Sequence, residues 1–301
     1  MKMYRLTIPN VLVLVAGLST LGHAAPQTFN TALPVAKGEF VVRQQFFYRR
    51  AEDDPTPANR ELRVVGSISV LGRGVSRNLA LFGVLPYLDK TIDLSSSAGR
   101  VSRSTRGIGD ARVFGRYTLY QNDAKGRTFR IAPFVGIEMP TGDDHDRDSI
   151  GRLPAPLQLG SGSWDPFGGI ILTYQTLGYQ FDVQASYKIN TEANGFEFGD
   201  EARLDASLQY RLWPRALEET GVPGYLYGVL ETNLIDRRKN KLNGANDPDS
   251  GGTSWIFAPG VQYVTRRWIL EGIVQLPLTQ NLGGDALEDD YTIRVGFRFN
   301  F

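Results

Sequence analysis

Tyr291-Thr292-Ile293-Arg294-Val295-Gly296-Phe297-Arg298-Phe299-Asn300-Phe301 closes the chain. Every odd-numbered residue is aromatic or aliphatic, and every even-numbered one is polar or glycine. A period of two puts one set on each face of a β-strand. The alternating run ends on a terminal aromatic, the form of signal by which bacterial outer-membrane barrels are recognised for insertion. It predicts the barrel-assembly machinery as a partner, engaged through Phe301.

The same alternation recurs upstream. Tyr179, Phe181, Val183, Ala185, Tyr187 and Ile189 interleave with Gln180, Asp182, Gln184, Ser186 and Lys188. Ala202–Leu212, Ala111–Leu119 and Phe129–Met139 behave likewise, with Arg112, Arg116, Arg130, Glu138, Arg203, Asp205 and Arg211 on the polar phase. Weaker strands are expected near Glu39–Arg50, Leu62–Leu71, Leu79–Leu88, Ser163–Gln175, Gly224–Ile235, Thr253–Thr265 and Trp268–Leu278. About twelve strands result, an even number as in bacterial single-chain barrels. The predicted fold is all-β: a closed antiparallel transmembrane barrel over residues 39–301. A helical turn is expected only near Arg215–Glu219, within a connection.

Connection lengths support this reading. Gly72–Arg77, Gln121–Arg127 and Thr176–Gly178 are short; Asp89–Arg106, Thr141–Gly162, Asp236–Gly252 and Thr279–Asp289 are long. Barrels of this class keep short turns in the periplasm and long loops outside. Tyr120, Tyr174, Tyr179, Trp213, Tyr263, Trp268 and Phe299 fall at the short-turn ends, where amphipathic rings form a girdle.

The N-terminus reads as a secretory signal over residues 1–24. Lys2 and Arg5 precede the apolar stretch Val11–Leu18, and Gly22-His23-Ala24 offers a small-residue cleavage site after Ala24. Residues 25–38 are expected to form a short periplasmic segment. The composition excludes several classes. Net charge is +1, against a basic nucleic-acid binder, and no cysteine is present to form a disulfide. Outer-membrane lipid and lipopolysaccharide are the expected surroundings of a Gram-negative outer-membrane protein, and small-molecule solutes its expected cargo.

The polar phase supplies candidate lumen-lining residues: Arg112, Arg116, Glu138, Asp182, Lys188, Arg203 and Arg294. Hairpin register places Lys188 across from Glu201 and Arg112 diagonally near Glu138. Both signs are interspersed, which suits cross-linking salt bridges or a field that orients polar solutes. No catalytic device and no metal or cofactor site is expected. The histidines are His23, in the leader, and His145, in the acidic run Asp143–Asp148. That run lacks the glycine and terminal glutamate of a calcium loop.

Gly107-Ile108-Gly109-Asp110 is read as opening a strand, Pro140-Thr141-Gly142-Asp143 as ending the next, and Gly160-Ser161-Gly162-Ser163-Trp164-Asp165 as opening the one after. In order and spacing these motifs resemble the outer-membrane family of meta-pathway phenol-degradation proteins. The resemblance implies a transporter-like barrel passing small aromatic or hydrophobic compounds. A general porin-like pore for polar solutes and a structural or surface-recognition barrel are the alternatives left by the residues themselves.

Overall fold

The computed structural model describes residues 23–97, 99–216 and 224–301. Residues 1–22 of the predicted leader lie outside them, as does most of the expected helical turn near Arg215–Glu219.

Twelve antiparallel strands form the wall: β1 Phe40–Ala51, β2 Glu61–Gly74, β3 Leu79–Ser96, β4 in three consecutive segments (Gly99–Ile108, Ala111–Tyr117, Tyr120–Ala124), β5 Arg127–Met139, β6 Asp165–Thr176, β7 Tyr179–Lys188, β8 Glu201–Trp213, β9 Gly224–Arg237, β10 Gly252–Thr265, β11 Trp268–Leu282 and β12 Tyr291–Asn300. Each strand pairs with the next, and β12 pairs with β1 from Asn300↔Val41 to Tyr291↔Arg50. That last ladder closes the sheet. Beyond it, Phe40 and Phe301 exchange both backbone hydrogen bonds and stack their rings. In lipid no water can satisfy a bare strand edge, so closure is the condition for this sheet to exist there.

The exterior is apolar. Phe46, Leu81, Val135, Leu204, Leu230, Val261, Leu270, Val295 and Phe297 point outward, Val135 with 70% of its surface exposed. Their sequence neighbours point inward and are buried, among them Gln45, Asp205, Glu231, Gln262 and Glu271. An exposed apolar band over a polar interior inverts the soluble arrangement and suits a hydrocarbon surround. Rings gather at the end that carries the termini and short turns, as in the Tyr174–Tyr179, Tyr263–Trp268 and Tyr120–Phe129 contacts.

The longest departure from the sequence reading is Asp89–Arg106. It is not a loop. β3 runs on to Ser96 and returns along Gly99–Ile108, in register from Ser96↔Gly99 to Tyr87↔Ile108. Between Asp89 and Arg106 only Ile92, Leu94, Ala98 and Val101 are apolar, too few for alternation to mark the two strands. Accordingly, Gly107-Ile108-Gly109-Asp110 does not open a strand but interrupts one: β4 breaks after Ile108 and resumes at Ala111.

The break serves as a junction of the three glycine-rich motifs. Asp110 Oδ1 accepts from Gly142 N (2.9 Å), and Asp110 Oδ2 accepts from Ser161 N (2.6 Å) and Ser161 Oγ (2.8 Å). Thr141 Oγ1 donates to Gly109 O (3.0 Å) and accepts from Ala111 N (2.8 Å). Gly160 packs so tightly on Gly142 that a Cβ there would lie 2.5 Å from the Gly142 carbonyl oxygen. Asp165 fixes a second loop, accepting from Ser163 Oγ and Thr191 N (2.8 Å each). The motif residues are therefore rim architecture, binding the β5–β6 loop to β4. Hydrogen bonds to a charged carboxylate contribute about 1.5–3 kcal/mol each, with losses overlapping in one cluster. Asp110→Ala should cost about 3 kcal/mol in urea unfolding from lipid vesicles; a change within about 0.5 kcal/mol, typical of ordinary surface positions, would contradict this role.

Candidate functional site in the lumen

The segment expected in the periplasm lies inside the barrel. Ala25, Gln27, Phe29, Ala32 and Leu33 are all buried. The chain crosses the lumen from the β10–β12 wall to β6 and β7, then leaves past β4. It has no regular structure there, so its peptide groups need partners from side chains, and the inward polar residues provide them. Glu231 accepts from Gln27 N (2.6 Å) and Thr28 N (3.1 Å). Gln262 pairs with both the amide and the carbonyl of Ala25 (3.2 and 2.7 Å). Arg43 and Gln45 donate to Gln27 O (3.1 and 2.9 Å). Thr173 Oγ1 accepts from Ala32 N (2.8 Å), and Arg116 donates to the carbonyls of Thr31 and Leu33. Composition alone could not place this segment, because residues 25–38 carry no periodicity and their partners lie more than 200 residues away in places.

The sequence-derived lumen candidates divide into groups. Arg112 and Lys188 both pair with Glu138, and Lys188 Nζ also lies 3.6 Å from Asp165 Oδ2. Arg112 is directly opposite Glu138 in the β4–β5 register, not diagonal to it. Lys188 is opposite Glu201 as expected, but its ammonium reaches Glu138 instead. Glu201 is left to Arg237 (2.8 Å) and Arg203, which also meets Asp205 (3.1 Å). These pairs cross-link the wall toward the long-loop end. Asp182 instead faces the N-terminal segment, accepting from Thr31 Oγ1 (2.9 Å), Gln180 Nε2 (2.7 Å) and Thr173. Arg294 gives its Nε to Gln275 Oε1 (2.7 Å) and stacks over Phe47, 5.3 Å from the ring centroid.

Charge counting along the strands missed an apolar wall. Phe82, Phe114, Phe134 and Ile171 are buried together with Ala80, Ala132 and Ala32, and Val70, Val84 and Phe167 pack against them. Phe82 and Phe114 stack at 4.8 Å, and Phe134 and Phe167 meet Phe114 edge-on at 6.1 Å. These residues share the inward phase of β2–β6 with the arginines. The signal was present at Phe114 and Phe134, on the same face as Arg112, Arg116 and Glu138. A cavity of about 860 Å³ opens between this wall, the N-terminal segment and the arginines of β1 and β12. Its size and its mix of apolar lining with a few polar groups are those of a small-molecule site.

At the other end the β5–β6 loop folds over the inner face of the β3–β4 extension. Leu153, Leu157 and Leu159 are buried there. Lys90 Nζ donates to Gln158 O (2.6 Å) and Thr105 donates to Asp146. Arg103 grips Asp148 with two bonds (2.7 and 3.0 Å), and Asp148 Oδ1 accepts from Ile150 N and Gly151 N (2.9 and 3.1 Å). His145 sits exposed on this loop, its Nδ1 2.5 Å from Asp144 Oδ1. Among the described residues no serine hydroxyl hydrogen-bonds to it.

Closure, an apolar exterior and a polar, partly filled lumen define an outer-membrane β-barrel. Residues 64–271 match the family described as "Putative MetA-pathway of phenol degradation", and the chain belongs to that family. Among solved structures it is similar to the COG4313 outer membrane channel from Pseudomonas putida F1, with 14% identity and a TM-score of 0.69 over 93% of this chain and 100% of that one. The beta domain of the Bordetella autotransporter BrkA aligns at 11% identity and TM-score 0.47, over 88% of this chain and all of its own. The NanC porin aligns at 12% identity and TM-score 0.45, over 86% and 98%. No curated protein sequence matches the chain.

The loop latch has a pH signature. The Arg103 hydrogen bonds hold the Asp148 carboxyl below the ordinary range, at about 2, against the opposing effect of burial. A depressed carboxyl contributes its stabilisation above its ordinary pKa and loses it as pH falls through the lowered value. In micelle NMR the Ile150 and Gly151 amide shifts should therefore titrate near pH 2. In Arg103→Gln the midpoint should rise toward the ordinary value of about 4. A wild-type midpoint already at the ordinary value would contradict the latch.

Proposed function

We propose that this barrel is a non-enzymatic outer-membrane channel that admits small hydrophobic or aromatic molecules through its lumen. The observation that carries the reading is the aromatic wall of Phe82, Phe114 and Phe167 on the 860 Å³ cavity. Edge and face contacts between rings suit an aromatic guest, which can take the place of one ring in such a cluster. Membership of the phenol-degradation family supports the same class of cargo. The COG4313 channel supports the fold in which it would be carried.

The competing idea of a general pore for polar solutes rested on a polar inner face. Much of that face is engaged with the N-terminal segment through Glu231, Gln262, Asp182 and Thr173. A histidine-based catalytic reading has, among the described residues past the leader, only His145 to build on, and its ring pairs with the half-buried Asp144. The exposed apolar band supports contact with outer-membrane lipid, and the charged loops above it support contact with lipopolysaccharide. The paired, stacked end at Phe40 and Phe301 supports recognition of the final strand by the assembly machinery.

The test is uptake of a labelled neutral aromatic by cells lacking the chromosomal copy and carrying either wild type or Phe114→Gln/Phe167→Gln. Removing about 1–2 kcal/mol of apolar contact should slow entry about tenfold at equal amounts of folded barrel. Equal uptake by the two strains would remove the aromatic wall from the pathway.

A further inference from the structure

Resting on that reading, we infer that the lumen cavity is an anion site, and that it prefers an aromatic carboxylate over a neutral or cationic aromatic. The charge of the lining is lopsided. Nine arginines border the cavity, from Arg43 on β1 to Arg298 on β12, against Glu39 and Asp123 as its only carboxylates among the described residues. The acidic residues Glu231, Asp182 and Glu271 lie behind the N-terminal segment or the wall, engaged with Thr28, Thr31 and Arg43.

Three of these arginines hold their charge without a carboxylate. Among the described residues no acidic side chain lies in ion-pair reach of Arg116, Arg294 or Arg298. Arg116 is spent on the carbonyls of Thr31 and Leu33, and its guanidinium carbon sits 4.9 Å above the Phe82 ring. Arg298 is the most exposed to need. It directly faces Arg43 across the β1–β12 ladder, a like-charge pair. Arg43 is neutralised by Glu271, but Arg298 gives one nitrogen to the His23 carbonyl and its buried Nε has no partner. Cleavage after Ala24, where the sequence expects it, takes His23 away and removes that acceptor as well.

A guanidinium in a low-dielectric lumen without a counterion is costly, and a carboxylate is the ligand its fork matches with two parallel bonds. The opposite wall is aromatic. A molecule with a ring at one end and a carboxylate at the other satisfies both sides, its ring on Phe82, Phe114 and Phe167 and its charge on Arg294 and Arg298. A cationic aromatic of the same size would meet like charge.

The experiment uses the full mature chain, refolded in detergent and checked by its heat-modifiable gel mobility. Calorimetry compares benzoate, benzyl alcohol and benzylammonium at neutral pH, with wild type, Arg298→Gln and Arg294→Gln. The inference expects benzoate to bind at least tenfold tighter than benzyl alcohol and benzylammonium to bind weakest. Either substitution should erase the benzoate preference while leaving benzyl alcohol unchanged. Equal affinity for benzoate and benzyl alcohol in the wild type would overturn the anion site and leave the aromatic channel standing. A benzoate preference untouched by both substitutions would overturn the assignment to Arg294 and Arg298. Failure of all three compounds to bind would overturn the anion site and the aromatic reading together.

Discussion

In hydrocarbon a peptide group without a partner has no water to fall back on, and the pairing of Tyr291–Asn300 with Val41–Arg50 meets that constraint. Once the last strand is joined to the first, the sheet has no edge, and its two faces acquire opposite solvents. Phe297 and Val295 must be apolar because they face lipid; Arg298 and Arg294 are tolerated because they do not. The absence of cysteine becomes understandable on the same ground, since the ladder itself ties the chain ends together.

Closure also creates an interior that must be occupied. One side fills it with stacked rings, in which Phe82, Phe114, Phe134 and Phe167 pack much as a soluble core would. The other side is lined with amides, carboxylates and guanidinium groups, and these are matched to an irregular stretch of chain. Glu231 takes two peptide N–H groups, Gln262 serves both groups of Ala25, and Arg116 takes two carbonyls. Inward polar residues therefore act largely as a surrogate for the sheet or helix that residues 25–33 do not form. What remains between the two walls is an amphipathic cavity, aromatic on one side and cationic on the other.

The strands that cross the hydrocarbon were legible because lipid on one face and lumen on the other enforce a period of two, as at Tyr179–Lys188 and Tyr291–Asn300. Where that contrast ends, so does the signal: Asp89–Ser96 and Gly99–Arg106 are strands covered on the inner face by a loop rather than by the lumen, and they read as a loop. Parity set the charged residues on one phase, and the register placed Glu201 opposite Lys188. It could not foresee that Lys188 reaches Glu138, because two strands away lies another carboxylate and the long side chain is free to choose. Nor could any local pattern in Ala25-Pro26-Gln27-Thr28 announce that its partners sit on β1, β9 and β10.

The placement of residues 25–33 inside the lumen carries the rest of the account, and the chain's lack of cysteine makes it directly testable. Thr31 Oγ1 and Thr173 Oγ1 lie 3.1 Å apart, so sulfurs in their places would be within bonding reach. Thr31→Cys/Thr173→Cys should oxidise to an intramolecular disulfide in membrane-inserted protein, read as a gel shift reversed by reductant. Two freely alkylated thiols that never cross-link in the folded barrel would place the segment elsewhere and contradict the account.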